Sequence, residues 1–534
     1  MEAFLFVYQV TSAVTVAQTQ ALDNLQNRRD RKLGKADIAI LTIIPLAAYV
    51  ATAVYNKHTP LLTPDSPSYM YFGDDRPVGY PLLVSFIKFV FGGFAAVPYV
   101  QLALLCASYT FAAIAFQLLC GTLWLSALFE IALFANPGLL IRAGQIMSEC
   151  ASGICIGAFV ALVLLLTRSP SAKRCFWLSI TAAIAVTIRP VNIALILATA
   201  LAILALEVRH RWSHVLLLGL LTFGAFASTP AVHALRRDPP IVGSPLARDL
   251  FGKTLFRQWP QNAATTQCDG PLIAKDTKAV DDYLAAAPDD LQFYLKLNYD
   301  DYLKFLVILP ELVRAHHFRS FTQADPILIC ITRSAFLTDP MYFIKDAARQ
   351  LWNLLAYNSY FSPEEHDRIV SYLASNPPPV IPVVPRTDAD FQLINRALAE
   401  MHLPEDSFHF DSADPAHWPV IARPRLLLYG LRAVEFFAAV VLLWGVGELL
   451  FTLFLRPTLA PRRRVLYLAI GVCGVAFYGE VVIASMIELA QARYLYPLYP
   501  ITCVALFLGV LAWRSYTPSA ETDGQFVPWK RFPK

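Results

Sequence analysis

Long, nearly uncharged runs of apolar residues constrain this chain more than any other feature of its sequence. A helix needs about 20 apolar residues to cross the ~30 Å hydrocarbon core of a bilayer. The 534 residues are 56% hydrophobic and 16% charged, a balance that excludes an ordinary soluble domain of this size. We therefore predict an all-α polytopic membrane protein with about ten transmembrane helices. The predicted spans lie near residues 37–55, 97–118, 122–137, 149–167, 175–189, 191–207, 213–234, 425–455, 465–487 and 494–513.

Lysine and arginine residues give these spans a direction. Short loops rich in Lys and Arg stay in the cytoplasm, and such segments precede span one, follow spans four, six and eight, and close the chain. With ten spans and a cytoplasmic start, all of them fall on the cytoplasmic side. The predicted order is a cytoplasmic or interfacial leader (1–36), a seven-span catalytic module (37–234) with outer loops at 56–96 and 138–149, an extracytoplasmic domain (235–424), three C-terminal spans (425–513) and a cytoplasmic tail (514–534).

The region 235–424 is predicted to be a mixed, mainly helical domain between spans seven and eight. Its stretch "DPMYFIKDAARQLWNLLAYN" has the pattern of an amphipathic helix, whereas "SNPPPVIPVVPR" must be extended, because consecutive prolines cannot be helical. Cys268 and Cys330 are the only cysteines of this region. An oxidising outer compartment would allow them to form a disulfide; two free thiols are the alternative.

The first outer loop carries the polar stretch "LTPDSPSYMYFGDDRPVGYPLLV", residues 62–84. A carboxylate at the membrane face, such as Asp65, can act as a general base or orient an acceptor hydroxyl. Arg76 can hold a phosphate through paired hydrogen bonds. Asp65 also fits a purely structural role as the N-cap of a short helix with Pro67 in its first turn.

Further ionisable residues lie in the second outer loop and before the last span. Glu149 comes where span four begins, beside Arg142, and an ionisable group at that depth is by default a functional candidate. Its alternative role is a favourable interaction with the helix dipole. Arg493 is on the side that the charge rule disfavours and suits an anionic head group. Tyr494 and Tyr496 follow it and fit an interfacial belt.

Other charged residues lie within or near the spans but are isolated in sequence. We predict that four glutamates pair with neighbouring helices: Glu130, Glu435, Glu448 and Glu480. Arg189 is expected at an outer depth similar to that of Arg493.

Four motifs together resemble the GT-C superfamily of membrane glycosyltransferases: "DSPSYMYF", "RPVGYPLLV", "GQIMSE" and "ARYLYPLYP". The resemblance is to the branch that uses polyprenyl-phosphate sugars, which includes the aminoarabinose transferase of lipid A and the protein O-mannosyltransferases. It covers the seven-span module and the last spans, and does not extend to the outer domain. It implies inverting transfer of a hexosyl or pentosyl group from a polyprenyl-phosphate donor to a glycan, lipid or protein acceptor at the extracytoplasmic face.

The resemblance also implies roles for three residues: Asp65 and Glu149 match the acidic positions of the first and second outer loops and are expected to be catalytic, and Arg493 matches an arginine near the donor phosphate. From their positions in the outer loops we further expect Arg76 and Arg142 to bind the donor phosphate, and Tyr69, Tyr80, Tyr494 and Tyr496 to line the acceptor or head group. Family members that bind a metal often have paired acids in loop one, but here Ser66 follows Asp65. No cofactor is therefore expected to be required, although the adjacent pair Asp74 and Asp75 leaves a divalent metal open.

Two other functions compete with this interpretation. A transporter or flippase of a lipid-linked saccharide would place polar groups at the midplane on broken helices in paired repeats, whereas the charges here gather in the outer loops. A non-catalytic assembly partner is the third possibility. The net charge of +4 is too small to indicate nucleic acid, so the expected partners are the donor, the acceptor and membrane lipids. The expected location is a bacterial inner membrane with the site facing outwards, and the endoplasmic reticulum is the alternative.

Overall fold

The structure is a computed structural model of the chain. It describes residues 33–55, 62, 66–73, 76–206, 210–236, 268, 278, 282, 285–288, 315–317, 324–356, 372, 375, 425–455, 461–487 and 495–514. Every regular element in these ranges is a helix. The prediction of an all-α protein is confirmed for this part of the chain.

The described helices of the first half follow one another with short connections. They are α1 (Lys35–Tyr55), α2 (Ser66–Met70), α3 (Gly79–Phe91), α4 (Val97–Cys120), α5 (Leu123–Leu133), α6 (Pro137–Ala143), α7 (Ser148–Arg168), α8 (Ala172–Ile188), α9 (Ile193–Ala205) and α10 (Arg211–Arg236). The later helices are α11 (Asp325–Thr338), α12 (Pro340–Ala356), α13 (Arg425–Leu455), α14 (Pro461–Ile487) and α15 (Tyr499–Arg514). Single 3₁₀ turns at Phe94–Ala96, Pro190–Asn192 and Tyr496–Leu498 precede α4, α9 and α15.

Each of the ten predicted spans coincides with one of these helices. In the described ranges, seven helices are long and apolar enough to cross a membrane, or eight if the bent pair α11 and α12 forms one span. The protein is thus an integral multi-pass membrane protein. The helices α5, α8 and α9 at three predicted spans have 11, 17 and 13 residues, so the count of ten remains a prediction.

Contacts between helices agree with spans that alternate in direction. Ser108 of α4 donates a hydrogen bond to the Ile154 carbonyl of α7 at 2.7 Å. Nearer both N-termini, Cys150 of α7 lies against the Gln101 carbonyl of α4, so the two helices run parallel, as the second and fourth spans should. A Cβ added to Gly157 would lie 2.4 Å from the Ser108 hydroxyl. Such close approach through small residues is how helices associate in lipid, where apolar burial gives no driving force.

The two predicted outer loops contain helices that hydropathy alone did not identify. The apolar helix α3 exposes Phe86 and Phe89 but, with 13 residues, is too short to span. Predicted span three ends earlier than expected, since α5 stops at Leu133 and the short helix α6 starts at Pro137. Proline is well placed in a first helical turn but cannot continue a helix from the preceding residues.

Part of the predicted outer region packs against the membrane helices. The helices α11 and α12 meet at 100°, and the Asp339 carboxylate accepts the Tyr342 backbone N–H at 3.0 Å, capping α12. Leu354 of this amphipathic helix is buried in the main hydrophobic core, and α12 contacts α13 and α14. The predicted disulfide between Cys268 and Cys330 is present. The proline-rich stretch lies outside the described residues, and the domain boundaries stay predictions.

Candidate functional site

A cluster of buried polar side chains surrounds the N-terminus of α7. The backbone is extended at Met147 and becomes helical at Ser148. Ser148, Glu149 and Ser152 are all buried, with Glu149 only 3% exposed. The free N–H groups and the positive end of the helix dipole favour a carboxylate in this first turn. Glu149 therefore lies where its carboxylate can interact with the dipole of α7, and it is surrounded by other polar groups.

The short helix α2 of the first loop docks onto the segment that leads into α7. Ser66 donates a hydrogen bond to the Ile146 carbonyl at 3.1 Å, and the Tyr69 and Ser148 hydroxyls are 3.0 Å apart. Both tyrosine and serine are buried. Asp65 lies outside the described residues, but it is the chain neighbour of Ser66, as Glu149 is of Ser148. The helix predicted for "DSPSYMYF" is confirmed as α2, with Pro67 in its first turn.

A chain of hydrogen bonds continues from Tyr80 across α4 to the second loop. The Tyr80 hydroxyl donates to Gln101 Oε1 at 2.7 Å, and Gln101 Nε2 donates to the Gln145 carbonyl at 3.0 Å. Arg142 Nη1 in turn donates to Gln145 Oε1 at 3.2 Å. Burial raises the pKa of the Tyr80 hydroxyl well above its usual range, so Tyr80 remains a donor at physiological pH. All four side chains are buried.

The arginines predicted to bind phosphate occupy different positions in this cluster. Arg142 is 3% exposed and lies beside Gln145 and Met147. Arg76 is half-buried; its Nε donates to the Ser68 hydroxyl at 3.1 Å, and its guanidinium carbon is 5.0 Å from the centre of the Tyr69 ring. Arg76 thus stands at the edge of the cluster and Arg142 inside it.

Tyr69 connects the docked helix α2 with the hydrogen-bond chain that starts at Tyr80. Its ring meets the Tyr80 ring edge to face, with centroids 4.9 Å apart, a favourable geometry for aromatic pairs. The structure therefore brings together five of the predicted residues: Tyr69, Tyr80, Arg76, Arg142 and Glu149.

On its other side, the N-terminal part of α7 contacts the Pro190–Asn192 turn. Ser152 donates to Asn192 Oδ1 at 3.0 Å, and Asn192 Nδ2 donates to the Ala185 carbonyl at 2.7 Å. The turn Tyr496–Leu498 packs against α7, and Tyr496 is buried. Arg493 and Tyr494, which precede this turn, lie outside the described residues.

Sequence reasoning missed the uncharged polar members of the cluster. Gln101, Gln145, Ser148 and Asn192 are each fully or almost fully buried. The available signal was a single polar residue within an apolar run, as in "VPYVQLALLC". Buried polar groups must find hydrogen-bond partners, but the sequence does not show which helices will supply them.

A metal site is not apparent in the part of the chain that the structure describes. No group of three or more His, Cys, Asp or Glu side chains gathers there. Asp65, Asp74 and Asp75 lie outside that part, so the expectation that no metal is required stays a prediction.

Comparisons with protein-family models, curated proteins and solved structures gave no match to this chain. The resemblance to GT-C glycosyltransferases thus rests on the four sequence motifs, and the case for a function rests on the geometry around α7.

Proposed function

We propose that this protein is an inverting membrane glycosyltransferase of GT-C type that moves a sugar from a polyprenyl-phosphate donor to an acceptor. The observation that carries the proposal is the docking of α2 onto the α7 N-terminus through Ser66 and Tyr69. These contacts join the two outer loops in which the sequence analysis placed Asp65 and Glu149. We propose that Asp65 and Glu149 serve one site, in which carboxylates activate and orient an acceptor hydroxyl.

The chemistry assigns a distinct task to each kind of residue. In an inverting transfer the acceptor hydroxyl attacks the anomeric carbon while a carboxylate, here Asp65, takes its proton. The C–O bond to the phosphate breaks, and the phosphate leaves with the bonding electrons. Arginine groups stabilise the charge that develops on it, which is the role proposed for Arg76, Arg142 and Arg493. Glu149 orients the acceptor or the sugar.

The surroundings of the cluster suit a lipid-linked substrate. The cluster lies at the ends of apolar helices, and the neighbouring helix α3 exposes Phe86, Phe89 and Phe91. An isoprenoid chain can lie against such an apolar surface while its phosphate reaches the polar groups at the helix ends. Tyr69, Tyr80, Tyr494 and Tyr496 are proposed to line the head group. The proposed location is a bacterial inner membrane with this end facing outwards.

The test is consumption of a donor by the purified protein in lipid nanodiscs. A panel of radiolabelled undecaprenyl-phosphate sugars is supplied together with a membrane-lipid extract as acceptor. We expect one donor to be consumed, whereas a flippase would leave all of them chemically intact. Asp65→Asn should slow consumption by about 10²- to 10⁴-fold. The matched control is Glu448→Gln in α13, which should consume the donor at the wild-type rate. Full activity of Asp65→Asn with normal membrane insertion would refute the assignment.

A further inference from the structure

A small cavity lies beside the polar cluster, where the Pro190–Asn192 turn, α12 and α14 meet. It is lined by Val191, Leu354, Glu480, Val481, Ala484 and Leu495. The space is narrow, with room for about one water-sized group. Apart from Glu480 its walls are apolar, so Glu480 alone can make a charged or hydrogen-bonded contact to whatever enters.

Glu480 is placed in this cavity without a local hydrogen-bond partner for one of its oxygens. The side chain is 3% exposed, and Oε1 has no hydrogen-bond partner among the described residues. Arg189, at the end of α8, is close enough to act on it electrostatically. A buried acceptor that lacks a partner is costly, so a bound group that supplies a donor would relieve that cost.

Close helix packing holds Glu480 at this position. A Cβ added to the preceding Gly479 would lie 2.7 Å from the Ala194 Cβ of α9. Glycine therefore lets α14 approach α9, and this contact directs the next residue to the cavity. Leu354 of α12 forms part of the wall. Gln350, one turn before it, is fully buried.

The cavity adjoins the cluster at the α7 N-terminus. Val191 lines the cavity, and its neighbour Asn192 accepts the hydrogen bond from Ser152. Ser152 lies one helical turn after Glu149. The polar cluster and the cavity therefore lie on either side of the Pro190–Asn192 turn.

We infer that Glu480 binds a hydroxyl or amino substituent of the donor sugar and thereby selects which sugar is transferred. This inference rests on the proposed function. A carboxylate oxygen accepts a hydrogen bond from either group, and the narrow cavity admits one such group. The nearby Arg189 suits a phosphate, and the donor is the substrate that carries a sugar and a phosphate together. Glu480 acts in recognition and takes no part in the proton transfer.

The first test compares the binding of two lipids to the protein in nanodiscs. One is sugar-free undecaprenyl phosphate, and the other is the undecaprenyl-phosphate sugar that the wild type consumes. Glu480→Gln should weaken binding of the sugar-bearing lipid about 10- to 100-fold, the usual value of a hydrogen bond to a charged group. Binding of undecaprenyl phosphate should not weaken, because Glu480→Gln leaves the positive charge of Arg189 in place. Glu448→Gln is the matched control and should change neither. Equal losses for both lipids, or no loss, would overturn the inference.

The second test begins with the wild type, and this part does not depend on how a variant folds. A site built to hydrogen-bond a substituent rejects an analogue that lacks it. The wild type should discriminate strongly against one of a series of monodeoxy or deamino donors, and Glu480→Gln should lose that discrimination. Equal use of every analogue by the wild type would refute this inference alone. A wild type that binds no lipid phosphate would instead refute the proposed function, and the inference with it.

Discussion

The hydrogen-bond chain from Tyr80 to Gln101 allows a sharp test of the buried cluster. Tyr80→Phe keeps the ring that packs on Tyr69 and removes only the hydroxyl that donates to Gln101 Oε1 at 2.7 Å. Gln101 is fully buried, so its oxygen would be left unsatisfied. Such a loss costs about 1–3 kcal/mol. At about 1.4 kcal/mol per factor of ten, local opening of the cluster should become about 5- to 150-fold more frequent.

Cys150 provides the probe for this opening. Its thiol is fully buried next to the Gln101 carbonyl, 4.0 Å away. Pulsed labelling with N-ethylmaleimide, read for each cysteine by mass spectrometry, should modify Cys150 faster in Tyr80→Phe by the same factor. This holds where opening and closing are fast relative to labelling. The buried Cys473 of α14 reports global unfolding in the same sample.

The matched control is another tyrosine that makes one hydrogen bond elsewhere. Tyr478 of α14 donates to the Ala439 carbonyl of α13 at 2.6 Å. Tyr478→Phe should leave Cys150 labelling at the wild-type rate. In Tyr80→Phe, a rate of Cys150 labelling within about twofold of the wild-type rate would show that the hydrogen bond does not keep the cluster closed, because a lost buried hydrogen bond should have a larger effect. The reasoning is also refuted if Cys473 accelerates equally.

Three further predictions concern the scaffold. Gly157→Ala places a Cβ 2.4 Å from the Ser108 hydroxyl and should destabilise the α4–α7 contact by about 1–3 kcal/mol. After heating, size-exclusion chromatography of this variant should show less monodisperse protein than the wild type. Gly219→Ala, where the added Cβ meets open space, should match the wild type. Asp339→Ala removes the cap of α12 at a cost of about 0.5–2 kcal/mol and should speed proteolysis at the α11–α12 junction, while Asp339→Asn, which can still cap, should not. Because of the disulfide between Cys268 and Cys330, the wild type should migrate differently on a denaturing gel with and without reductant. Cys330→Ser should remove that difference. Unchanged migration of the wild type would contradict the bond.

The helices were predictable because the signals for them are local. A run of about 20 apolar residues is visible in any window of that length, and α2 was expected because Asp65 can cap a helix with Pro67 in its first turn. The helix α3 was missed because its 13 residues, which include Ser85 and Lys88, are too few for a membrane span. Cys268 and Cys330 could be proposed as a pair because their region contains no other cysteine.

The site could be predicted only for its charged members. Glu149 and Arg142 attract attention because charge is costly near a bilayer. Gln101 does not, and its partners lie 21 and 44 residues away in sequence, at Tyr80 and Gln145. Such pairings depend on how α4 packs against α7, which hydropathy does not determine. The proximity of Arg189 to Glu480 depends in the same way on the packing of α14.

The central claim is that the first and second loops form one catalytic site. The most direct measurement is the rate of sugar transfer from the consumed donor by Asp65→Asn, Glu149→Gln and the double variant. If both carboxylates serve one reaction, each single change should slow transfer by about 10²- to 10⁴-fold. The double variant should then be no slower than the slower single variant, because residues that act as a unit are not additive. Wild-type rates in either single variant, or a double-variant loss equal to the product of the two, would contradict the account.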